Sequence, residues 1–310
     1  MTDDRASETS LSSVQRAAST QREARVPAVP VGFQAVWSLI RPRQWVKNSF
    51  VLAPLVFAVQ ISNPVALRQA VAATFLFCLA SSAVYIFNDW RDLDGDRAHP
   101  TKRFTRPLAA ETVSVRTAGA LLILLWLVVI GVAAWWPPVG VGLLVYVLLN
   151  AAYSVHLKRV PVVDIFCVAA GFVLRVASGA AAIAVPLSAW MLITTLCLAL
   201  YLAAVKRRQE LVVAGQGARH VLGAYTIPLL DRYAQMAATA ALVFYGLFAS
   251  TVRPELAGTT AFVLFGFFRY SYLVEAHEAG ENPTEVLWRD RPLAAVVVLW
   301  AVTAVWLVAL

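Results

Sequence analysis

Nine apolar stretches follow one another along this sequence, at about residues 46–61, 66–88, 112–135, 139–154, 162–184, 188–205, 233–252, 256–274 and 292–310. Water does not solvate such a succession, so the solvent for most of the chain is lipid. Several stretches fall short of the ~20 residues that an ideal spanning helix needs. Turn-forming pairs and prolines divide them, among them Asn63-Pro64, Pro137-Pro138, Pro186 and Pro254. Only 14% of the residues are charged and the mean hydropathy is +0.68, whereas a soluble domain carries about a quarter charged residues. A length of 310 residues fits one all-α integral membrane domain and leaves no room for a second globular one. Cys78, Cys167 and Cys197 each lie inside an apolar run, without metal-ligand spacing, and read as small buried hydrophobes. Gly140 and Gly142 also sit in an apolar run with no preceding strand, so they point to close helix packing rather than to a nucleotide loop.

The net charge of +8 is concentrated between the apolar stretches, the pattern of membrane topology rather than of nucleic-acid binding. Arg91, Arg97, Lys102, Arg103 and Arg106 follow the second stretch. Lys158 and Arg159 follow the fourth, Lys206, Arg207, Arg208 and Arg219 the sixth, and Arg269, Arg289 and Arg291 flank the connection after the eighth. The opposite connections hold little beyond Arg253, with Arg68 just inside the second stretch. Positive loops stay inside, so the expected N-terminus is cytoplasmic and the C-terminus is on the far side of the inner (plasma) membrane. Residues 1–32, rich in Ser, Thr, Arg, Ala and Gln, read as a disordered cytoplasmic tail, and 33–310 as the transmembrane domain. At its start, Phe33, Val36, Trp37 and Ile40 recur at helical spacing before Arg41, Arg43 and Lys47. This predicts a short amphipathic helix at the membrane surface, anchored by Trp37 and Trp45.

The densest polar feature ends the second stretch: Asn88-Asp89-Trp90-Arg91-Asp92-Leu93-Asp94-Gly95-Asp96. If the helix continues, Asp89, Asp92 and Asp96 share one face, with Tyr85 extending the row backwards. Carboxylates held together need a cation between them, and this spacing suits Mg²⁺, which prefers one or two carboxylates together with phosphate oxygens and waters. Arg97, His99, Lys102, Arg103 and Arg106 come next, before Pro107. Carboxylates for a metal followed by cations for remaining oxygens are what a metal-bound diphosphate requires.

The pattern Asn88, Asp89, Asp92, Asp96 resembles the first Asp-rich motif, NDxxDxxxD, of the UbiA superfamily of membrane prenyltransferases, whose nine-helix bundle matches the number of stretches. A typical member has a second Asp-rich motif after its sixth helix. Here that place holds Tyr201-Leu-Ala-Ala-Val-Lys206-Arg207-Arg208-Gln209-Glu210, with cations where carboxylates are expected, which suits a substrate bearing a further phosphate monoester. Arg41-Pro-Arg-Gln-Trp-Val-Lys47-Asn48, the run from Asn88 to Pro107, Lys158 with Asp164, Gly171-Phe-Val-Leu-Arg175, the Lys206–Glu210 run and Asn282-Pro283-Thr284-Glu285 together look like the branch of that superfamily that serves bacterial arabinan synthesis. That resemblance implies transfer of 5-phosphoribosyl from phosphoribosyl pyrophosphate (PRPP) to decaprenyl or another polyprenyl phosphate, releasing pyrophosphate. It implies Mg²⁺ on Asp89, Asp92 and Asp96. Lys206, Arg207 and Tyr201 become candidates for the 5-phosphate and ribose, with Glu210 able to pair with Lys206 one turn away. Lys47, His99, Lys102 and Arg106 become candidates for pyrophosphate or lipid phosphate, undivided between the two, with Asn88 beside them and Lys158 at the cavity mouth. Asp164 and Arg175, eleven residues apart in the fifth stretch, face the same way and either line the site or pair within the bundle; a charge at mid-membrane costs roughly 2.5–3.5 kcal/mol. The connections at 209–231 and 275–291 are candidate caps. A homo-oligomer is compatible with the sequence but not specified by it.

Two other readings compete. A conventional UbiA enzyme, joining a prenyl diphosphate to an aromatic acceptor, explains the first motif but not the basic replacement of the second. A transporter for a phosphorylated lipid or small anion explains many helices and intramembrane charge. It does not call for carboxylates in metal-binding register, and no paired halves suggest an inverted repeat.

Overall fold

A computed structural model describes residues 32–98, 102–214, 220–276, 286–287 and 289–309. The tail expected at 1–32 lies outside the described residues except for Gly32. Among the described residues the ordered elements are all helical. A short helix α1 (Phe33–Ile40) is followed by a 3₁₀ stretch (Pro42–Leu52) running into α2 (Ala53–Phe57). Then come α3 (Pro64–Arg91), the short α4 (Leu93–Ala98) and α5 (Lys102–Thr105), α6 (Val115–Trp135), α7 (Pro137–Val155), α8 (Val163–Ala182), α9 (Ala189–Ala214), α10 (Ile227–Thr251), α11 (Thr260–Ala276) and α12 (Arg291–Ala309). All nine apolar stretches carry helix, and seven helices are long and apolar enough to cross a membrane: α3, α6, α7, α8, α9, α10 and α12.

Local chemistry sets the helix starts. Asn63 Oδ1 accepts from the backbone N–H groups of Val65 (3.0 Å) and Ala66 (3.3 Å), with Pro64 at the first helical position. Ser114 caps α6 through Thr117 N–H at 3.0 Å. Within the bundle, Val51, Ala70, Phe77, Val129, Leu143 and Tyr146 form one buried cluster, and Tyr201, Ala204, Ala234, Tyr270 and Leu293 another. Leu124, Leu127, Ile130, Val298, Val302 and Trp306 point outward and are more than half exposed. Such a surface is tolerable in lipid and not in water. Gly142 and Gly179 allow the closest approaches: a Cβ would fall 1.9 Å from Ser178 Oγ at Gly142 and 2.0 Å from the Val51 carbonyl oxygen at Gly179. The packing role expected for Gly142 is thus what the bundle uses.

The expected amphipathic helix is α1. It buries Ala35 and Leu39 against Ala83, Ile86 and Leu122, while Phe33 and Trp37 stay on the outside with stacked rings 6.1 Å apart. The connection expected at 209–231 is shorter than the sequence suggests. Helix α9 runs on to Ala214 and α10 begins at Ile227. Salt bridges from Arg207 to Glu210 and from Arg208 to Asp231 let the charged ends stay helical beyond the apolar run.

Candidate functional site

The acidic row closes α3. The helix is interrupted at Asp92, yet Asp92 N–H donates to the Asn88 carbonyl at 2.9 Å and Asp96 N–H to the Asp92 carbonyl at 2.8 Å. The i,i+4 register therefore carries through into α4, as the spacing predicts. Each carboxylate meets a cation from a different part of the chain. Asp89, only 3% exposed, takes both Arg41 and Arg106 on Oδ1, Arg106 at 2.7 Å. Lys158, in the turn after α7, reaches Asp92 at 2.8 Å. Lys102, at the start of α5, sits 3.6 Å from the buried Asp96. Asn88 is held by the Ser154 hydroxyl, which donates to its Oδ1. Burial pushes the Asp96 carboxyl above its usual range, against the pull of Lys102 and with the help of Asp92.

A divalent cation fits this row through one atom in particular. Asp89 Oδ2 is buried and has no hydrogen-bond partner among the described residues. A carboxylate oxygen left unpaired in a buried site costs free energy unless a cation takes it. No three carboxylate, His or Cys side chains among the described residues converge into a cage made by protein atoms alone. That suits Mg²⁺, which is held by one or two carboxylates plus phosphate oxygens and waters. Beyond Lys102 the surface dips into an open depression of about 540 Å³ lined by Arg97, Arg103, Phe104 and Glu111. None of the three aspartates lines it.

Lys47, on the 3₁₀ stretch, lies in the positive field of Arg175 and Arg41. It makes no ion pair among the described residues. Arg175 itself is spent inside the bundle. Its guanidinium donates to Asn48 Oδ1 (2.8 Å), the Gly171 carbonyl (2.8 Å) and Tyr146 Oη (2.9 Å). Asn48 in turn donates to Ser81 Oγ at 3.2 Å.

Asp164 and Arg175 do share a helix face, but they do not pair. Eleven residues separate them by about 16 Å along the axis. Asp164, fully buried, instead accepts Arg207 Nε (2.6 Å) and the Tyr225 hydroxyl (2.6 Å). Arg207 also donates to Glu210 Oε2 (2.7 Å) and Tyr153 Oη (2.9 Å), and Tyr225 Oη accepts from Val162 N–H (2.6 Å). Burial first, then the bond to Asp164, raises the Tyr225 hydroxyl above its usual pKa. The resemblance offered Arg207 as a substrate contact and left Asp164 and Glu210 open between substrate and structural partners; the structure sets both carboxylates on Arg207. Lys206 keeps an exposed head 4.0 Å from Glu210. Tyr201 lies deeper, 4% exposed, bonded to Ser271 Oγ at 2.9 Å and edge-on to Tyr270. His99, and Asn282 to Glu285 in the second candidate cap, lie outside the described residues.

Sequence reasoning did not single out Arg41 as a site residue, or Tyr153, Ser154 and Tyr225 at all. Arg41 belongs to a quoted phrase, but Asp89 is 48 residues away, and no local spacing links them.

Residues 49–283 match the UbiA prenyltransferase family. The chain is 37% identical over 284 residues to a decaprenyl-phosphate phosphoribosyltransferase of Mycolicibacterium smegmatis, covering 84% of this chain and 88% of that protein. It is 33% identical over 276 residues to the protein of the same name from Corynebacterium glutamicum, covering 84% of this chain and 82% of that one. Among solved structures, a UbiA homolog from Archaeoglobus fulgidus bound to GPP and Mg²⁺ superposes with a TM-score of 0.70 at 17% identity, over 89% of this chain and all of that one.

Proposed function

The chain belongs to the UbiA prenyltransferase family, and we propose that it transfers the 5-phosphoribosyl group of PRPP to decaprenyl phosphate or a similar polyprenyl phosphate, releasing pyrophosphate. The observation that carries this reading is the excess of cations over carboxylates at the row. Asp89, Asp92 and Asp96 face Arg41, Arg106, Lys158 and Lys102, and Lys47 adds a further cation in the field of Arg41. A prenyl diphosphate with an aromatic acceptor brings one diphosphate and no further phosphate group. PRPP brings a diphosphate and a second phosphate, and the acceptor brings a third phosphate group. The names of the relatives from Mycolicibacterium and Corynebacterium support the same assignment.

A divalent cation, which we take to be Mg²⁺, would be held directly by Asp89 Oδ2, with Asp92 and Asp96 beside it on the row reaching it through water or phosphate oxygens, and when bound it would neutralise charge developing on the departing pyrophosphate. Arg106 and Lys102 would hold the remaining diphosphate oxygens, and Lys158 would shift from Asp92 toward them. Lys47 would bind one of the lipid phosphate and the 5-phosphate, and Lys206, whose half-exposed head faces Glu210, would swing to the other. As the C1–O bond lengthens, the ribose gains positive character, and an oxygen of the lipid phosphate attacks from the other face. That oxygen is already anionic at neutral pH, so the site needs no strong general base. Catalysis rests on positioning and electrostatics. Tyr201 and Arg175 serve the walls of the site rather than the reacting groups.

The topology follows the same reading. The 3₁₀ stretch and α2 together span about 30 Å, so we count them as a crossing, and α11 as another, giving nine crossings with a cytoplasmic N-terminus. The basic loops and the row then face the cytoplasm of the inner membrane, where PRPP is soluble, and the product supplies cell-wall arabinan synthesis. The test is turnover of labelled PRPP with decaprenyl phosphate and Mg²⁺ by detergent-purified protein, with Asp92→Ala and EDTA controls. Label entering the organic phase, and lost in both controls, is the expected result. Folded protein that yields none refutes the assignment, and prenyl diphosphates with aromatic acceptors become the next substrates to assay.

A further inference from the structure

We propose that Arg41, together with Arg106, makes the Asp89–Asp92–Asp96 row selective for a divalent cation that already carries a diphosphate, with Arg41 itself a diphosphate-binding residue. The inference rests on the functional reading above and deepens it. Both guanidiniums sit on the same carboxylate oxygen, Asp89 Oδ1, and leave Oδ2 buried and unpartnered. A cation on Oδ2 therefore stands within one carboxylate's width of two fixed positive charges. The wider balance points the same way: three carboxylates are met by four cations, Arg41, Arg106, Lys158 and Lys102. A bare divalent ion entering this partly buried site meets net repulsion. A metal diphosphate does not, because its oxygens accept from the guanidinium forks while the metal takes Oδ2.

Arg41 is built for that second task. It occupies the left-handed hinge between α1 and the 3₁₀ stretch, at φ 53° and ψ 60°. Its guanidinium lies 4.9 Å over the Tyr85 ring. Tyr85 is one helical turn before Asp89 on α3, so ring and carboxylate hold the planar group between them at the start of the row. A lysine has neither the fork nor the stacking face.

The experiment is equilibrium dialysis of the full-length protein in detergent against Mn²⁺ alone and against preformed manganese pyrophosphate, for wild type, Arg41→Ala and Arg41→Lys, with Asp89→Asn marking the site. In Arg41→Ala, Mn²⁺ alone should bind about tenfold tighter and manganese pyrophosphate about tenfold weaker, opposite shifts of the size expected for one charge-assisted hydrogen bond. Arg41→Lys keeps the charge and decides the matter if the alanine variant does not fold. It should leave Mn²⁺ affinity within about twofold and weaken manganese pyrophosphate by about threefold or more. Affinities that stay unmoved, or that fall together in a folded variant as a structural role would make them, overturn the proposal. Neither dialysis arm contains PRPP or lipid. Opposite shifts without phosphoribosyl transfer would refute the substrate assignment and leave this selectivity standing; transfer with unmoved affinities would refute the selectivity alone.

Discussion

Replacing Asp164 by alanine should unfold the protein far more readily than it should slow its chemistry. Arg207 is 4% exposed at its side chain, and Asp164 is fully buried. Removing one partner of a buried ion pair costs about 3–5 kcal/mol, because the surviving charge stays in a medium that cannot solvate it. Glu210 still faces Arg207 at 2.7 Å, so the lower end, about 3 kcal/mol, applies. The Tyr225 hydroxyl loses its acceptor as well. At about 1.4 kcal/mol per tenfold, the folded-to-unfolded ratio should fall roughly a hundredfold or more. Reversible unfolding in mixed micelles, followed by tryptophan fluorescence, measures that ratio. The double replacement Asp164→Leu with Arg207→Met removes both charges and should recover most of the loss, since a buried pair exchanged for apolar groups of similar volume is often near neutral. Turnover by folded Asp164→Ala protein should stay within about tenfold of wild type. If stability holds while transfer is abolished, Asp164 touches substrate, and the structural role argued from its partners is wrong.

Three further outcomes are expected. Chelation should abolish transfer and Mg²⁺ should restore it, and Asp89→Asn should lose roughly a hundredfold or more in rate while keeping its fold, as a ligand for the metal would; full activity under EDTA would remove the metal from the mechanism. Gly179→Ala should cost about 1–3 kcal/mol of stability by overpacking, and more than Gly142→Ala, because the new methyl meets the Val51 backbone oxygen in the first case and a side-chain hydroxyl in the second; unfolding of the two variants side by side decides it. The raised pKa of Asp96 gives a third. Its folded carboxyl holds a proton more firmly than the usual 3.8, so this group's contribution to stability falls as pH rises from the unfolded pKa through the folded one. In metal-free buffer Asp96→Asn should flatten that part of the stability profile, and an unchanged profile would refute the assignment of the slope to Asp96.

The helices and the row were legible because both rest on short-range periodicity. Twenty apolar residues between turn signals specify a helix in lipid wherever it finally packs, and Asp89, Asp92 and Asp96 share a face through the geometry of one helix end, even across the interruption at Asp92. The basic loop after the row could be read too, since Lys102 and Arg106 follow within a few residues. What the residues do to one another was not legible. Nothing in the sequence links Arg207 to Asp164, yet they meet across 43 positions at 2.6 Å. The eleven-residue spacing of Asp164 and Arg175 suggested a common purpose, but the partners of the two come from different helices.

By itself, then, the sequence determined a membrane-embedded helical chain with an acidic row at one helix end and positive charge gathered in the loops beside it, because hydropathy and helical period are properties of contiguous residues. Only the tertiary structure decided which cation neutralises which carboxylate. Arg41, Lys158 and Arg106 reach the row from three separate elements, and the choice among cations in a buried site is settled by distance and desolvation once the helices have packed.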